Sequence, residues 1–229
     1  MDGSPSPLRS SAAHVVVASL AAPVLDDGDV HHLARALRLR PGEVVTATDG
    51  AGSWRSCRWT GTGVEADGPV VAEPRPAPAL TVGFAPVKGD RPEWTVQKLT
   101  ELGVDRIVVV CAARSVVRWE GPRAAAALDR LRRVAREATM QSRRCWLPEV
   151  TGVLTPAALP DAALAEPGGD PPTLVRPAVL VGPEGGWTPE ELAAAPATVG
   201  LGALVLRAET AAVAAAVLLG ALRSGQLIT

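Results

Sequence analysis

Two short stretches near the C-terminus limit what this chain can become more than any other feature. Val179-Leu-Val-Gly-Pro-Glu-Gly-Gly-Trp-Thr-Pro-Glu-Glu-Leu192 and Leu201-Gly-Ala-Leu-Val-Leu-Arg-Ala-Glu-Thr-Ala211 each read as a buried apolar strand that breaks into a loop and then a helix. Junctions of that kind are where α/β proteins hold small ligands. Two of them this near in sequence predict loops that together form one pocket. No other part of the chain resembles a nucleotide or metal site.

The rest of the sequence places these junctions in a larger plan. Val70–Ala79 carries prolines at 74, 76 and 78, which oppose both helix and ladder formation and favour an extended connector. Residues 1–13 read as a loose tail, 14–73 as one domain, 74–79 as a linker and 80–229 as a second domain. In the first domain, short β-like runs (His14–Ser19, Glu43–Thr48, Ser53–Trp59, Val64–Ala72) are separated by turn signals at Asp49-Gly50, Gly52, Gly61 and Gly63. One helix interrupts, Asp29–Leu39, ended by Pro41-Gly42. The pattern is that of a small β-barrel-like domain. After the linker, strands alternate with helices: strands at Leu80–Ala85, Arg106–Cys111, Val179–Val181 and Ala203–Leu206, helices at Pro92–Leu102, Pro122–Gln141, Pro189–Ala194 and Thr210–Arg223. Such alternation predicts a mostly parallel sheet covered on both faces. The proline-rich segment 155–177 reads as irregular or only briefly helical.

Composition narrows the function classes. No apolar run approaches the ~20 residues that span a bilayer, and the N-terminus has no basic region followed by an apolar core, so a cytoplasmic protein is expected. Cys57, Cys111 and Cys145 are too few and too scattered for a disulfide framework or a zinc site. His31-His32 has no partners at ligand spacing, and no metal is expected. A net charge of −1 does not announce a nucleic-acid binder. Segment 114–144 nevertheless gathers Arg114, Arg118, Arg123, Arg130, Arg132, Arg133, Arg136, Arg143 and Arg144 against Glu120, Asp129 and Glu137. It is either a phosphate-facing stripe or a solvated helix face.

Three constellations carry chemistry. Thr188-Pro-Glu-Glu191 is a helix start, with Thr188 capping, Pro189 at the first position and Glu191 closing a capping box. Before it, Gly182-Pro-Glu-Gly-Gly186 permits positive φ and close approach of a ligand to the backbone. In the second loop, Glu209 suits the dipole of the final helix and Thr210 its cap, but Arg207 follows an apolar strand directly and needs a partner or a ligand. On the helix after Lys88, Gln97 and Lys98 face either a polyanion or, for Lys98, simply Glu101.

Together these motifs resemble the bacterial 16S rRNA (uracil-N3)-methyltransferase family of the SPOUT superfamily. The residues carrying the resemblance are His32-Leu-Ala-Arg-Ala-Leu-Arg38 with Gly42 and Asp49-Gly50; Lys88-Gly with Gln97-Lys98 and Glu101-Leu-Gly-Val104; Gln141-Ser, Arg144 and Pro148-Glu; Gly182–Gly186; and Leu201-Gly202 with Leu206-Arg207, Glu209 and Thr210. They run in order over about 30 to 220, nearly the full length. The resemblance implies an N-terminal PUA-like RNA-binding barrel, then a SPOUT α/β domain with a C-terminal trefoil knot. It also implies a homodimer acting on one uridine of 16S rRNA, within the 30S subunit, with S-adenosylmethionine as cofactor.

On that reading Val181, Gly182, Glu184, Gly185, Gly186, Leu201, Gly202, Leu206, Arg207 and Thr210 hold the cofactor. Arg207 stabilises developing negative charge or holds a phosphate, and Glu209 is a base or an Arg orienter. Arg35, Arg38, Lys88, Gln97, Lys98, Arg114, Arg143 and Arg144 are candidate RNA contacts. Leu204 stands where the family generally has Arg, Met140 where Glu usually precedes Gln141, and Arg143 where Gly usually precedes Arg144. A SPOUT enzyme acting on another RNA position, such as a ribose 2′-hydroxyl, and a non-catalytic RNA-binding assembly factor are the competing readings.

Overall fold

The computed structural model describes residues 6–227. Two units emerge within them, 6–75 together with 139–147, and 76–138 together with 148–227. The first unit is thus assembled from two separate pieces of chain.

In the first unit β1 (Ala13–Val16) runs parallel to β2 (Val44–Thr48), and β3 (Ser53–Trp59) returns antiparallel. β3 also pairs antiparallel with β4 (Val64–Ala66) and β5 (Val71–Ala72). The single strand expected over Val64–Ala72 is two, because a turn intervenes in which the Asp67 amide donates to Ser56 O at 2.9 Å. Val15, Val45, Ala47, Cys57 and Trp59 bury together with Leu33. Of the expected loose tail, residues 1–5 lie outside the described residues. The remainder is fastened: α1 (Pro7–Ser10) makes one helical turn and Ala13 opens β1. Arg143 ties the turn down, donating to Leu8 O at 3.1 Å and Ser11 O at 2.6 Å.

The expected helix Asp29–Leu39 is shorter and less regular. α2 (Asp27–His31) starts two residues early, since Asp26 Oδ1 accepts the Asp29 amide at 2.7 Å as an N-cap. From His32 to Ala36 it widens into a π-turn, with the Leu37 amide donating to His32 O at 3.0 Å, and Arg38 ends it at φ 53°.

Residues 139–147 bind the first unit through buried polar contacts. The Gly52 amide donates to Cys145 O at 2.9 Å, and the Leu147 amide to Gly50 O at 2.9 Å. His14 Nε2 lies 3.0 Å from Arg144 O and Nδ1 lies 2.8 Å from Thr46 Oγ1. A carbonyl can only accept, so Nε2 carries the hydrogen and Nδ1 of the neutral ring accepts from Thr46. Burial pushes the His14 imidazole down from its ordinary 6.5 to about 4, against the raising effect of the Arg144 carbonyl and with nearby Arg143 adding to the fall.

The second unit holds a six-stranded sheet. Its strands are β6 (Thr81–Phe84), β7 (Arg106–Val110), β8 (Glu149–Leu154), β9 (Ala163–Asp170), β10 (Ala178–Val181) and β11 (Thr198–Val199), in the order β11-β9-β10-β6-β7-β8. Every pairing is parallel. Alternate residues serve opposite faces: Ile107 and Val109 join the core that holds Leu131 and Ala212, while Val108 and Val110 join Leu164, Leu180 and Trp187. Burial on both faces explains the unbroken apolar runs.

Around the sheet lie α3 (Arg91–Glu101), α5 (Pro189–Ala194) and α6 (Ala208–Arg223). α4 (Gly121–Ser142) runs from the second unit into the residues grouped with the first. α6 buries Ala211, Ala212, Ala215, Ala216 and Leu219 and packs on β6, β10 and α3. At its end Arg223 pairs with the buried Asp105 and donates to Gly103 O at 2.8 Å, while Asp105 Oδ2 also accepts the Leu80 amide at 2.9 Å.

Two expectations fail here for identifiable reasons. Segment 155–177 contains the strand β9, which carries Pro167, Gly168 and Gly169 in the stretch where its register with β11 shifts. The strand expected at Ala203–Leu206 does not form. β11 occupies the edge position beside β9 instead, and the Gly200 amide donates to Asp170 O at 2.9 Å. Leu204 and Val205 are then 80% and 86% exposed, so an apolar run that looks like a strand is an open loop.

Candidate functional site

Parallel strands deliver their loops to one edge, and the sequence-predicted site residues of the second unit gather there. Val181 ends β10 opposite Phe84, the last residue of β6, so the loops 182–187 and 85–90 leave the sheet side by side. The first loop is held from within. Trp187 packs its ring beneath Gly182, where a Cβ would lie 2.9 Å from Cε2, and its indole N–H donates to Ala165 O at 3.0 Å. Gly186 has φ 68°, in the left-handed region that favours glycine, with its amide donating to Pro183 O at 2.8 Å.

Neighbouring segments complete the fastening. Arg114 Nη1 donates to Gly185 O and Trp187 O, each at 3.0 Å. The capping box is present as read: Thr188 Oγ1 accepts the Glu191 amide at 3.2 Å, and Glu191 Oε2 accepts the Thr188 amide at 2.9 Å. Glu191 does more than cap, because Oε1 also accepts the Ala113 amide at 2.9 Å. The Glu190 carboxyl is held below its usual range by its own backbone amide and the Thr188 hydroxyl.

The second loop is open. Leu201 and Leu206 rest against the core, while Gly202, Ala203, Leu204 and Val205 are exposed and belong to no helix or strand. Nothing lies within 4 Å of where a Cβ on Gly202 would sit. Arg207 occupies the N-cap position of α6, extended at φ −66° and ψ 154°, without a side-chain cap hydrogen bond. Thr210, expected as the cap, sits inside the first turn because the helix begins at Ala208. Glu209 lies in that turn with its side chain 15% exposed, Oε1 3.7 Å from Arg91 Nη1. Its Oε2 is shielded from solvent and meets no hydrogen-bond donor among the described residues.

Arg91 was not singled out by sequence reasoning. The signal was its place at the first position of a helix that directly follows the loop leaving β6.

The candidate RNA contacts divide. Arg35 and Arg38 are exposed on the first unit, and Lys88 is exposed in the loop after β6. Gln97 is half-buried, and Lys98 is engaged with both oxygens of Glu101 at 2.9 Å. Arg114 is exposed and Arg143 half-buried, and each donates to carbonyls of its own unit, one at the glycine loop and the other at the N-terminal turn. The Arg144 carbonyl meets His14. Among the described residues no group of His, Cys, Asp and Glu is arranged to hold a metal, and no helix is long and apolar enough to cross a membrane.

A mixed α/β unit with two glycine loops at the carboxyl edge of a parallel sheet, one ending in a solvent-facing Arg, defines a small-ligand enzyme site. Comparison narrows the class. Residues 73–220 match the model of an RNA methyltransferase domain and residues 25–63 that of an RNA methyltransferase PUA domain. The chain is similar to a ribosomal RNA small subunit methyltransferase E from Mycobacterium bovis, 34% identical over 227 residues, covering 88% of this chain and 87% of that one. Among solved structures, a probable rRNA-methyltransferase from Porphyromonas gingivalis has a TM-score of 0.75 at 26% identity, covering 94% and 100% of the two chains. A ribosomal RNA small subunit methyltransferase E from Neisseria gonorrhoeae, bound to S-adenosyl methionine, has a TM-score of 0.74 at 29% identity, covering 92% and 97%. The chain belongs to the RNA methyltransferase family that includes ribosomal RNA small subunit methyltransferase E.

Proposed function

We propose that this chain transfers a methyl group from S-adenosylmethionine to N3 of a specific uridine in 16S rRNA. The observation that carries the reading is the pair of glycine loops at one edge of the sheet, in a chain of this family. The names of the Mycobacterium relative and of the cofactor-bound Neisseria structure support the substrate class and the donor.

The loops fit that donor. Gly185 and Gly186 present backbone on one side and Gly202 on the other, while Leu201 and Leu206 supply apolar surface. Val181, Gly182, Glu184, Gly185, Gly186, Leu201, Gly202, Leu206, Arg207 and Thr210 would hold it. Bound there, it supplies an electrophilic methyl group on sulfur.

The protein's task is then to make uracil N3 a nucleophile. N3 lies on the pairing edge, so the base must be unpaired or turned out before it can react. Its N–H is weakly acidic and a poor nucleophile. Glu209 accepts the N3 proton as general base, and Arg207 stabilises the negative charge that develops on the uracil. Arg35, Arg38 and Lys88 meet RNA phosphates.

The same reading includes a PUA-like barrel over 14–73, a linker over 74–79, a methyltransferase domain over 80–229 with a trefoil knot, and a cytoplasmic homodimer acting on the 30S subunit. Likeness to the full length of the solved relatives supports the architecture.

The test is methyl transfer from labelled S-adenosylmethionine to unmethylated 30S subunits and to naked 16S rRNA, followed by digestion and mass spectrometry. N3-methyluridine from the 30S arm is expected. A ribose-methylated nucleoside would overturn the position, and failure to bind the donor in calorimetry would overturn the enzyme itself.

A further inference from the structure

Glu209 is only half paired, and this matters because its carboxylate is largely withdrawn from water. Oε1 sits 3.7 Å from Arg91 Nη1, a charge contact too long for a hydrogen bond. Oε2 meets no donor among the described residues and is shielded from solvent. An anionic oxygen in that condition is costly unless a donor arrives to meet it.

Arg91 is placed to act on Glu209 alone. It opens α3, next to the buried Pro92, and its side chain is 45% exposed. The acid in the first turn of α3, Glu93, pairs instead with Arg130 of α4. The two acid–base pairs are therefore separate, one joining α3 to α4 and the other joining α3 to α6.

We infer that Arg91 is a positioning residue: it holds Oε1 of Glu209, so that Oε2 faces the N–H of the incoming base. This rests on Glu209 as proton acceptor. When the base binds, the N3–H bond breaks and its proton passes to Glu209. The electron pair left on N3 forms the new bond to the methyl carbon as that carbon's bond to the donor sulfur breaks, the sulfur keeping the pair and leaving as S-adenosylhomocysteine. Arg91 touches neither reacting atom. Its effect is to fix which carboxylate oxygen is available.

The experiment is a double-mutant cycle on the full chain, with Arg91→Ala, Arg91→Lys, Glu209→Gln and the pair Arg91→Ala with Glu209→Gln. It reads kcat and KM for rRNA, calorimetric affinity for S-adenosylhomocysteine and the melting temperature. Arg91→Ala is expected to lower kcat by roughly 10- to 100-fold, less than the roughly 100- to 10,000-fold that the general base itself supplies. Arg91→Lys should recover part of the loss, with product affinity kept within about twofold. In the Glu209→Gln background, removing Arg91 should change kcat by less than about twofold, because a residue acting through another has no further effect once that partner is neutralised.

Losses that multiply in the double variant would sink the inference, since Arg91 would then act on something other than Glu209. Equal loss in the Ala and Lys variants, or a tenfold change in product affinity, would do the same. If Arg91→Ala does not fold, Arg91→Gln in the same cycle decides the matter. If Glu209→Gln transfers methyl at the wild-type rate, the reading of Glu209 as base fails. If it is slow while Arg91→Ala is normal, only the role of Arg91 fails.

Discussion

The two glycine loops share an edge of one sheet, yet their polar groups are treated in opposite ways. In 182–187, carbonyls accept from Arg114, the indole of Trp187 is hydrogen-bonded, and Glu191 satisfies two amides at once. In 201–207, Leu204 and Val205 lie in solvent, Arg207 has no capping role, and Glu209 leaves one oxygen unmet. The first loop is a frame whose polar groups are already spent on the fold. The second leaves its groups exposed or unmet, and under the proposed function these are the charges that act on the bound ligand.

Four measurements break or sharpen this contrast. Arg207→Ala, which keeps the backbone that would hold the cofactor and removes only the guanidinium, is expected to slow methyl transfer by roughly 100- to 1000-fold, about 3–4 kcal/mol, with cofactor affinity and melting temperature nearly unchanged. Single-turnover kinetics beside calorimetry check it, and a melting shift instead of a rate loss would make Arg207 part of the frame.

The fastened class has its extreme outside both loops, at His14. Its folded pKa of about 4 lies below the ordinary 6.5, so between those values the unfolded chain binds more protons than the folded one. Stability is then complete above about pH 6.5 and declines as pH falls towards 4, by at most about 3 kcal/mol. Denaturant titrations of wild type and His14→Gln at pH 7 and pH 4.5 check this. A difference between the two proteins that does not depend on pH would refute the assignment.

Gly182→Ala should cost about 1–3 kcal/mol in thermal unfolding, because the new Cβ would lie 2.9 Å from a Trp187 ring that is pinned by its own hydrogen bond. The smallest effect is expected from Arg114→Met. Losing the donor to two loop carbonyls should weaken cofactor binding by about tenfold, roughly 1.4 kcal/mol, and leave kcat within about twofold. A large kcat loss would put Arg114 among the reacting groups.

Much of this was legible in the chain itself. Runs such as Ile107-Val-Val-Val110 are apolar at every position because both faces of a parallel sheet are covered, and the spacing from Thr188 to Glu191 reads directly as a capping box. Misreadings arose where local pattern and tertiary context part. Leu204-Val-Leu206 has the composition of a strand, but Thr198-Val199 already holds the edge, so hydrophobicity there marks an exposed loop. Pro167, Gly168 and Gly169 discourage a strand assignment, yet β9 accommodates them where its register slips. The Arg91–Glu209 pair spans 118 positions, 209 less 91, and no local signal joins residues so far apart.

The return of 139–147 to the first unit carries a consequence for how the chain is made. Gly50, Gly52 and His14 emerge early from the ribosome, but the carbonyls and amide they bond belong to Arg144, Cys145 and Leu147. The first unit cannot close when residue 75 leaves the exit tunnel. It waits while β6, α3, β7 and most of α4 are synthesised, at about 5–20 residues per second in a bacterium. An N-terminal fragment cut at the linker would hold all five strands of the first sheet but would leave His14, Gly50 and Gly52 without their partners from 144–147. Synthesis order therefore couples maturation of the first unit to appearance of the first half of the second, and a nascent chain stalled before residue 147 is the state most exposed to aggregation.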